Sequence, residues 1–300
     1  MAPAQFINFL RGEEAMDLNE IKTRPFGKTG REVTTVGLGG EGVLRTYGEE
    51  ARAARVIEEA AAQGIGYFDT APAYSGSESY YGSFWRTHPE LRDRIFQTSK
   101  SAARTATGAT TDLDRTLGTL GLDHLDLWQI HDIRTRQDLR EIEGPGGALA
   151  AFVEAKETGL TKFIGVTGHH DPSIITYAVE NWPVDSVLIP VNPLEGVLGG
   201  FLDRTLPKAQ ERGIAVVGMK VLGGSHYLNP RAGIGPELLL RYALSQDLFL
   251  IIVGCSTPEE VRLLAQAGRD PEPLSDEEEE RLLALFRPYA RRLAFYRGVM

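Results

Sequence analysis

The chain predicts an α/β fold, a (β/α)8 (TIM) barrel with an N-terminal β-hairpin and an extra C-terminal helix, and three observations carry this. Short β-rich runs alternate eight times with Ala/Leu/Glu-rich helical segments, the pattern of βα units in a parallel sheet. Glycines 64, 121, 159 and 213 each close a helical stretch just before the next strand, where a left-handed C-cap has no room for a Cβ. Finally, 300 residues of which 42% are hydrophobic can fill one such barrel, which needs about 250 residues and no second domain. Eight units close a barrel, whereas an open doubly wound sheet usually stops at about five to seven strands.

In order, residues 1–23 form an N-terminal extension and 24–300 a single barrel domain. Within RPFGKTGREVTTVG (24–37), GKTG separates two extended runs and reads as a hairpin that caps the barrel floor. Strands are expected over 33–40, 67–71, 95–100, 125–132, 163–168, 186–192, 215–220 and 250–254. Helices are expected over 49–63, 78–87, 111–120, 147–158, 172–181, 201–212, 236–245 and 258–266. After Leu274, Ser275 followed by DEEEE opens the extra helix, because an N-cap hydroxyl and negative charge both suit a helix N-terminus. The Phe295-Tyr296 pair either reaches over the barrel mouth or packs outside it.

Composition narrows the function. A net charge of −9 repels nucleic acid and anionic membranes unless a basic patch overrides it, and no such patch is visible. The longest apolar runs, such as FLIIVG (249–254), fall far short of the roughly 20 residues that span a bilayer. The opening MAPAQFINFL lacks the layout of a secretory signal, so a cytoplasmic location is expected; Met16 is an alternative start. The single cysteine, Cys255, rules out an internal disulfide and a multi-cysteine metal or iron-sulfur site.

Parallel barrels build their sites at the C-terminal strand ends. Asp69, Lys100 and His131 each end a strand, and Tyr74 lies on the loop after the second. Singly each has a bland reading: a loop-capping carboxylate, a solvated strand end, a satisfied core imidazole and a half-buried loop aromatic. Together they form a kit for reducing a carbonyl. Tyr74 hands over a proton, Lys100 lowers its pKa from about 10 by roughly 1 to 3 units, Asp69 holds Lys100, and His131 orients the substrate oxygen. A rival reading makes Lys100 the Schiff-base amine of a barrel lyase or isomerase. None of these side chains supplies a hydride, so reduction demands a nicotinamide cofactor. A Rossmann fingerprint is absent: Gly37, Gly39, Gly40 and Gly42 follow the first strand without the matching helix start and ribose-binding acid.

The segments FDTAPAY (68–74), FQTSK (96–100) and LDLWQIHD (125–132) resemble the aldo-keto reductase family, and the resemblance runs from GLGG (37–40) to GCSTPEEV (254–261). It implies NAD(P)H-dependent, reversible reduction of an aldehyde or ketone, with Tyr74 as general acid and, in oxidation, base. A regulatory subunit with little turnover is the rival within the fold. The partner implied is a small-molecule carbonyl substrate; its identity and the oligomeric state are not legible.

The resemblance also implies cofactor contacts, which include Gly39 and Gly40 after the first strand. IGVTGHH (164–170) is similar to the family's IGVSN motif, with Thr167 for its Ser and Gly168 for its Asn. His169 and His170 are read as pointing apart on an extended chain with no carboxylate partner, so no metal is expected. In PVNP, Pro190 replaces a common Gln and leaves Asn192 as the polar candidate. In VVGMKVLGG, Met219 takes the place of a stacking aromatic and Lys220 is read as a pyrophosphate cation. In the GCSTPEEV phosphate loop, Gly254, Ser256 and Thr257 offer donors and close approach. Cys255 and Glu260 stand where NADPH-binding relatives carry Lys and Arg, leaving Arg262 as the nearby cation. NADP(H) is favoured, with NAD(H) admitted and the selectivity shallow.

Overall fold

A computed structural model of the protein describes residues 20–298. Residues 1–19 of the expected extension, Met16 among them, lie outside the described residues. Of the remainder, Ile21 is buried in the core, and the Lys22 backbone donates to Gly268 and accepts from Thr35.

Strands β1 (Thr23–Pro25) and β2 (Glu32–Thr34) form the expected antiparallel hairpin, with Thr23 opposite Thr34. Its turn holds Gly27 at φ +57° and Gly30 at φ +73°, a backbone region that costs L-residues energy. The hairpin matters because Phe26, fully buried beside it, plugs the barrel floor against Tyr67 and Phe96.

The barrel consists of β3 (Val36–Gly42), β4 (Tyr67–Phe68), β5 (Phe96–Ser101), β6 (Leu125–Ile130), β7 (Thr161–Thr167), β8 (Ser186–Pro190), β9 (Ala215–Met219) and β10 (Leu250–Cys255). All neighbours are parallel and β10 closes onto β3. Every expected strand is present, and the differences have local causes. The run 33–40 splits at Thr35, with Thr34 in the hairpin and its hydroxyl donating to Val36. The sixth and ninth strands stop early because Asp132 and Lys220 take left-handed conformations, φ 54° and 57°, and break the extended ladder. Alternate side chains point inward, so Tyr67, Phe96, Leu127, Leu188, Val217 and Leu250 fill the barrel while the opposite faces pack on the helices.

The main helices are α1 (Glu50–Ala62), α2 (Ser77–Thr87), α3 (Ala106–Leu120), α4 (Arg136–Glu143), α5 (Ala148–Glu157), α6 (Pro172–Asn181), α7 (Pro193–Leu198), α8 (Leu206–Glu211), α9 (Pro236–Ser245), α10 (Pro258–Arg269) and α11 (Asp276–Phe286). Helix α3 begins five residues before the expected Thr111, because the Thr105 hydroxyl caps it by accepting from Gly108. Helices α4 and α7 lie in stretches read as loops; a Thr135/Asp138 capping box starts one and Asn192 the other. The helix expected over 201–212 opens as a π-turn, Phe201–Thr205, before α8. Glycines 64, 121, 159 and 213 have φ of 82°, 68°, 81° and 65°, as C-capping requires. Ser275 and Glu278 form a capping box at α11. Beyond it the tail returns over the barrel mouth. Buried Glu195 on α7 pins it, accepting from the Tyr296 hydroxyl and pairing with Arg297.

Candidate active site

The centre of the mouth is a buried ion pair. Lys100, the penultimate residue of β5, is fully buried, and its Nζ lies 2.7 and 2.6 Å from the two Asp69 oxygens and 2.8 Å from the Thr70 carbonyl. All three ammonium hydrogens therefore have acceptors. Asp69 also accepts from the Thr98 hydroxyl at 2.8 Å. Burial lowers the Lys100 pKa and the Asp69 charge opposes that shift. An amine so enclosed and engaged is poorly placed to attack a carbonyl, which weighs against the Schiff-base reading.

Tyr74 sits above the pair with Lys100 Nζ 4.7 Å from its ring centroid, and its ring meets His131 edge to face at 5.6 Å. A Cβ at Gly40 would fall 2.6 Å from Tyr74 Cδ2 and 2.9 Å from the Asp69 carbonyl. Gly40 thus lets the ring close down on β3. Against the expected lowering, burial and then the Asp69 carboxylate push the Tyr74 pKa up from the usual tyrosine value. Asp69 balances the Lys100 charge at contact distance, and among the charges acting most strongly on Tyr74 only Arg45, 5.2 Å from the ring centroid, lowers it. Burial, then Lys100, push the His131 pKa down to about 3, so its imidazole is neutral at physiological pH. Arg104 donates to the backbone carbonyls of His131 and Asp132 and fixes this turn. Neither Arg45 nor Arg104 stood out in the sequence, since lone arginines on loops carry no pattern.

These residues open into a cavity of about 1040 Å³ that extends to the eighth barrel strand and α10. That is the upper end of the roughly 300–1,000 Å³ usual for ligand pockets. Gly39, Gly40, Thr167, Met219, Lys220, Gly254, Ser256 and Glu260 line it. Gly168, Asn192, Thr257 and Arg262 stand apart from this lining. Gly168 faces away: a Cβ there would strike Ile175 and the Ile133 carbonyl, so packing requires the glycine. Asn192 is fully buried and fully engaged, with Oδ1 capping α7 and Nδ2 donating to the Lys220 carbonyl and the Tyr296 hydroxyl. Thr257 is the N-cap of α10 and lies outside the lining. Arg262 is held by Glu59 and Glu259 at 3.1 and 2.6 Å, leaving it poorly placed for a phosphate.

The donor set nevertheless fits a dinucleotide. Glu260 already lays a carboxylate oxygen 2.6 Å from the Ser256 backbone N–H, so the amide before α10 holds an anion in this state. Met219, Ile252 and Val253 give an apolar wall. Lys220 brings a half-buried ammonium, its pKa lowered by desolvation, 5.4 Å from the Tyr296 ring centroid. Thr167 contributes otherwise than expected, its hydroxyl accepting from the Asp132 N–H at 2.9 Å.

A further correction concerns His169 and His170. Their rings do not diverge; the centroids are 4.4 Å apart, and both Nε2 atoms face Asp132 Oδ1, at 3.2 and 3.6 Å. The carboxylate partner comes from the turn after β6, a proximity no local motif encodes. Burial, then Lys220, push the His169 pKa down to about 4.

A closed eight-stranded barrel with such a mouth defines a class of enzyme, and the comparisons name the family. The sequence matches the Aldo/keto reductase family over residues 35–231, and the chain belongs to that family of oxidoreductases. It is 28% identical over 211 residues to L-galactose dehydrogenase of Arabidopsis thaliana, covering 67% of this chain and 65% of the plant protein. The match thus spans just under two thirds of that relative. Pyridoxal 4-dehydrogenase of Microbacterium luteolum is 27% identical over 261 residues, covering 73% of this chain and 75% of the bacterial protein. Among solved structures, the holo form of an aldo-keto reductase from Bacillus halodurans superposes with a TM-score of 0.74 at 21% identity, covering 89% of this chain and 96% of that one. An aldo-keto reductase from Klebsiella pneumoniae in complex with NADPH gives 0.72 at 20% identity, covering 89% and 95%. Among the described residues no helix is long and apolar enough to cross a membrane.

Proposed function

We propose that the protein catalyses the reversible reduction of an aldehyde or ketone to an alcohol with a reduced nicotinamide dinucleotide. The observation that carries this reading is the Asp69–Lys100 pair buried beneath Tyr74 and His131, at the wall of a cavity of about 1040 Å³. When bound, the dinucleotide supplies the hydride. Met219, Lys220, Gly254 and Ser256 would hold it.

Tyr74 gives its proton to the carbonyl oxygen as negative charge develops there. Its raised pKa keeps it protonated through neutral pH, and the charge developing on the carbonyl oxygen is what draws the proton across. Lys100 and Asp69 fix the floor under the ring and keep water out. His131, neutral, donates one N–H to the substrate oxygen and adds no charge that would compete with Lys100.

NADP(H) is the cofactor of choice, as in the Klebsiella pneumoniae enzyme in complex with NADPH, and the margin over NAD(H) is shallow because Glu260 brings a carboxylate to the phosphate loop while Arg262 is already paired. The test is a panel of carbonyl compounds, polar hydroxylated ones first, assayed with NADPH and NADH in parallel. Turnover with either cofactor supports the proposal. Tight cofactor binding without turnover on any compound favours a regulatory subunit.

A further inference from the structure

We infer that Asp132, His169 and His170 form a binding site for a divalent transition metal of the Zn²⁺ class at the rim of the cavity. Asp132 Oδ1 lies 3.2 Å from His169 Nε2 and 3.6 Å from His170 Nε2, and all three candidate ligand atoms fall within 4.8 Å of one another. Four ligands placed tetrahedrally at the usual Zn–N and Zn–O lengths of about 2.0–2.2 Å stand about 3.4 Å apart. The two measured edges straddle that value.

The surroundings are those of a prepared site. His169 Nδ1 lies 3.2 Å from the Tyr296 carbonyl, an acceptor only, so the proton sits on Nδ1 and Nε2 presents its lone pair. Such a partner is the usual way of fixing the ring of a metal-binding histidine. Asp132 is braced equally: its second oxygen takes Arg134, its N–H donates to Thr167, its carbonyl accepts from Arg104, and its φ of 54° is held by them. What this bracing leaves over are Asp132 Oδ1 and His170 Nε2, both buried and without a hydrogen-bond partner. Buried polar atoms left without a partner are costly, whichever ring nitrogen of His170 carries its proton.

A proton shared by His169 and Asp132 relieves one contact but leaves His170 facing the same oxygen; one cation satisfies all three. Two imidazoles and one carboxylate select Zn²⁺ or its neighbours over Mg²⁺, which prefers oxygen ligands. All three residues line the cavity, so the fourth coordination position is open to a ligand there. Lys220 and Arg134 are the cations that oppose binding: the Lys220 ammonium lies over the Tyr296 ring, and Arg134 is bonded to the second Asp132 oxygen.

The experiment uses untagged protein stripped with a chelator. Co²⁺ titration followed by visible absorption, then displacement by Zn²⁺ with calorimetry, should show one equivalent bound, with the intense bands of low-coordinate Co²⁺. His170→Ala and Asp132→Asn should each weaken Zn²⁺ at least about 100-fold, with circular dichroism checking the fold. If His170→Ala fails to fold, His170→Gln keeps the bulk and replaces the imidazole. Equal Zn²⁺ affinity in wild type and the folded variants, no stoichiometric binding, or equal competition by Mg²⁺ overturns the assignment.

Discussion

Replacing Lys100 with Met removes the cation from a pair in which both side chains are shut off from solvent, at 0% and 1% exposure. Methionine matches the length of the lysine stem, so packing is roughly conserved and the electrostatic loss dominates. The remaining Asp69 keeps its Thr98 donor at 2.8 Å but loses the ammonium. Leaving a buried charge without its partner typically costs about 3–5 kcal/mol, a large share of the roughly 5–15 kcal/mol that holds a domain folded. Urea denaturation should therefore show an unfolding free energy lower by that amount, read as a lower midpoint with an unchanged slope. Adding Asp69→Asn to Lys100→Met removes the stranded charge and should recover about 1–3 kcal/mol. The single variant also exposes Tyr74 to an unbalanced carboxylate, which already raises its pKa. The basic limb of the carbonyl-reduction profile should accordingly move to higher pH. A loss below about 1 kcal/mol, the range of exposed pairs, or a double variant no more stable than the single one, would refute the reasoning.

Tyr74→Phe should retain cofactor binding, measured by fluorescence titration, while carbonyl reduction falls by about 10² to 10⁴-fold; near-normal turnover would remove Tyr74 from the mechanism. Glu260→Arg should tighten NADPH relative to NADH by at least about 1.4 kcal/mol, a tenfold change in ratio, because it adds a cation and frees the Ser256 N–H from a carboxylate. Parallel titrations with both cofactors check this, and an unchanged ratio means residue 260 does not face the adenosine ribose. Burial raises the Tyr67 and Tyr81 pKa values well above the usual tyrosine range. The unfolded chain loses those protons from about pH 10 upward while the folded one keeps them, so stability is intact below that pH and falls as pH rises through it. Tyrosinate absorbance should show Tyr67 and Tyr81 ionising only together with an unfolding step; their titration without unfolding would contradict this.

The sequence by itself determined the barrel, the hairpin floor, the C-terminal helix and the positions of Asp69, Tyr74, Lys100 and His131. Each leaves a local signal: short β-rich runs alternating with helical segments, glycine C-caps at 64, 121, 159 and 213, a Ser275 cap, and strand ends that a parallel barrel gathers at one mouth. What only the tertiary structure decided depends on which side of the backbone a residue faces and on what meets it across the chain. Gly168 and Asn192 lie in the expected segments, yet one is fixed by Ile175 and the other spends its amide on α7, Lys220 and Tyr296. The Tyr74 pKa follows burial and net local charge rather than the nearest cation, since Asp69 sits closer to Lys100 than any spacing rule could state. Asp132 meets His169 and His170 because β6 and β7 are neighbours in the sheet and Asp132 turns left-handed at the strand end. Periodicity reports the face of an element; it carries no information on the direction of a side chain at a turn or on contacts 37 and 38 residues apart.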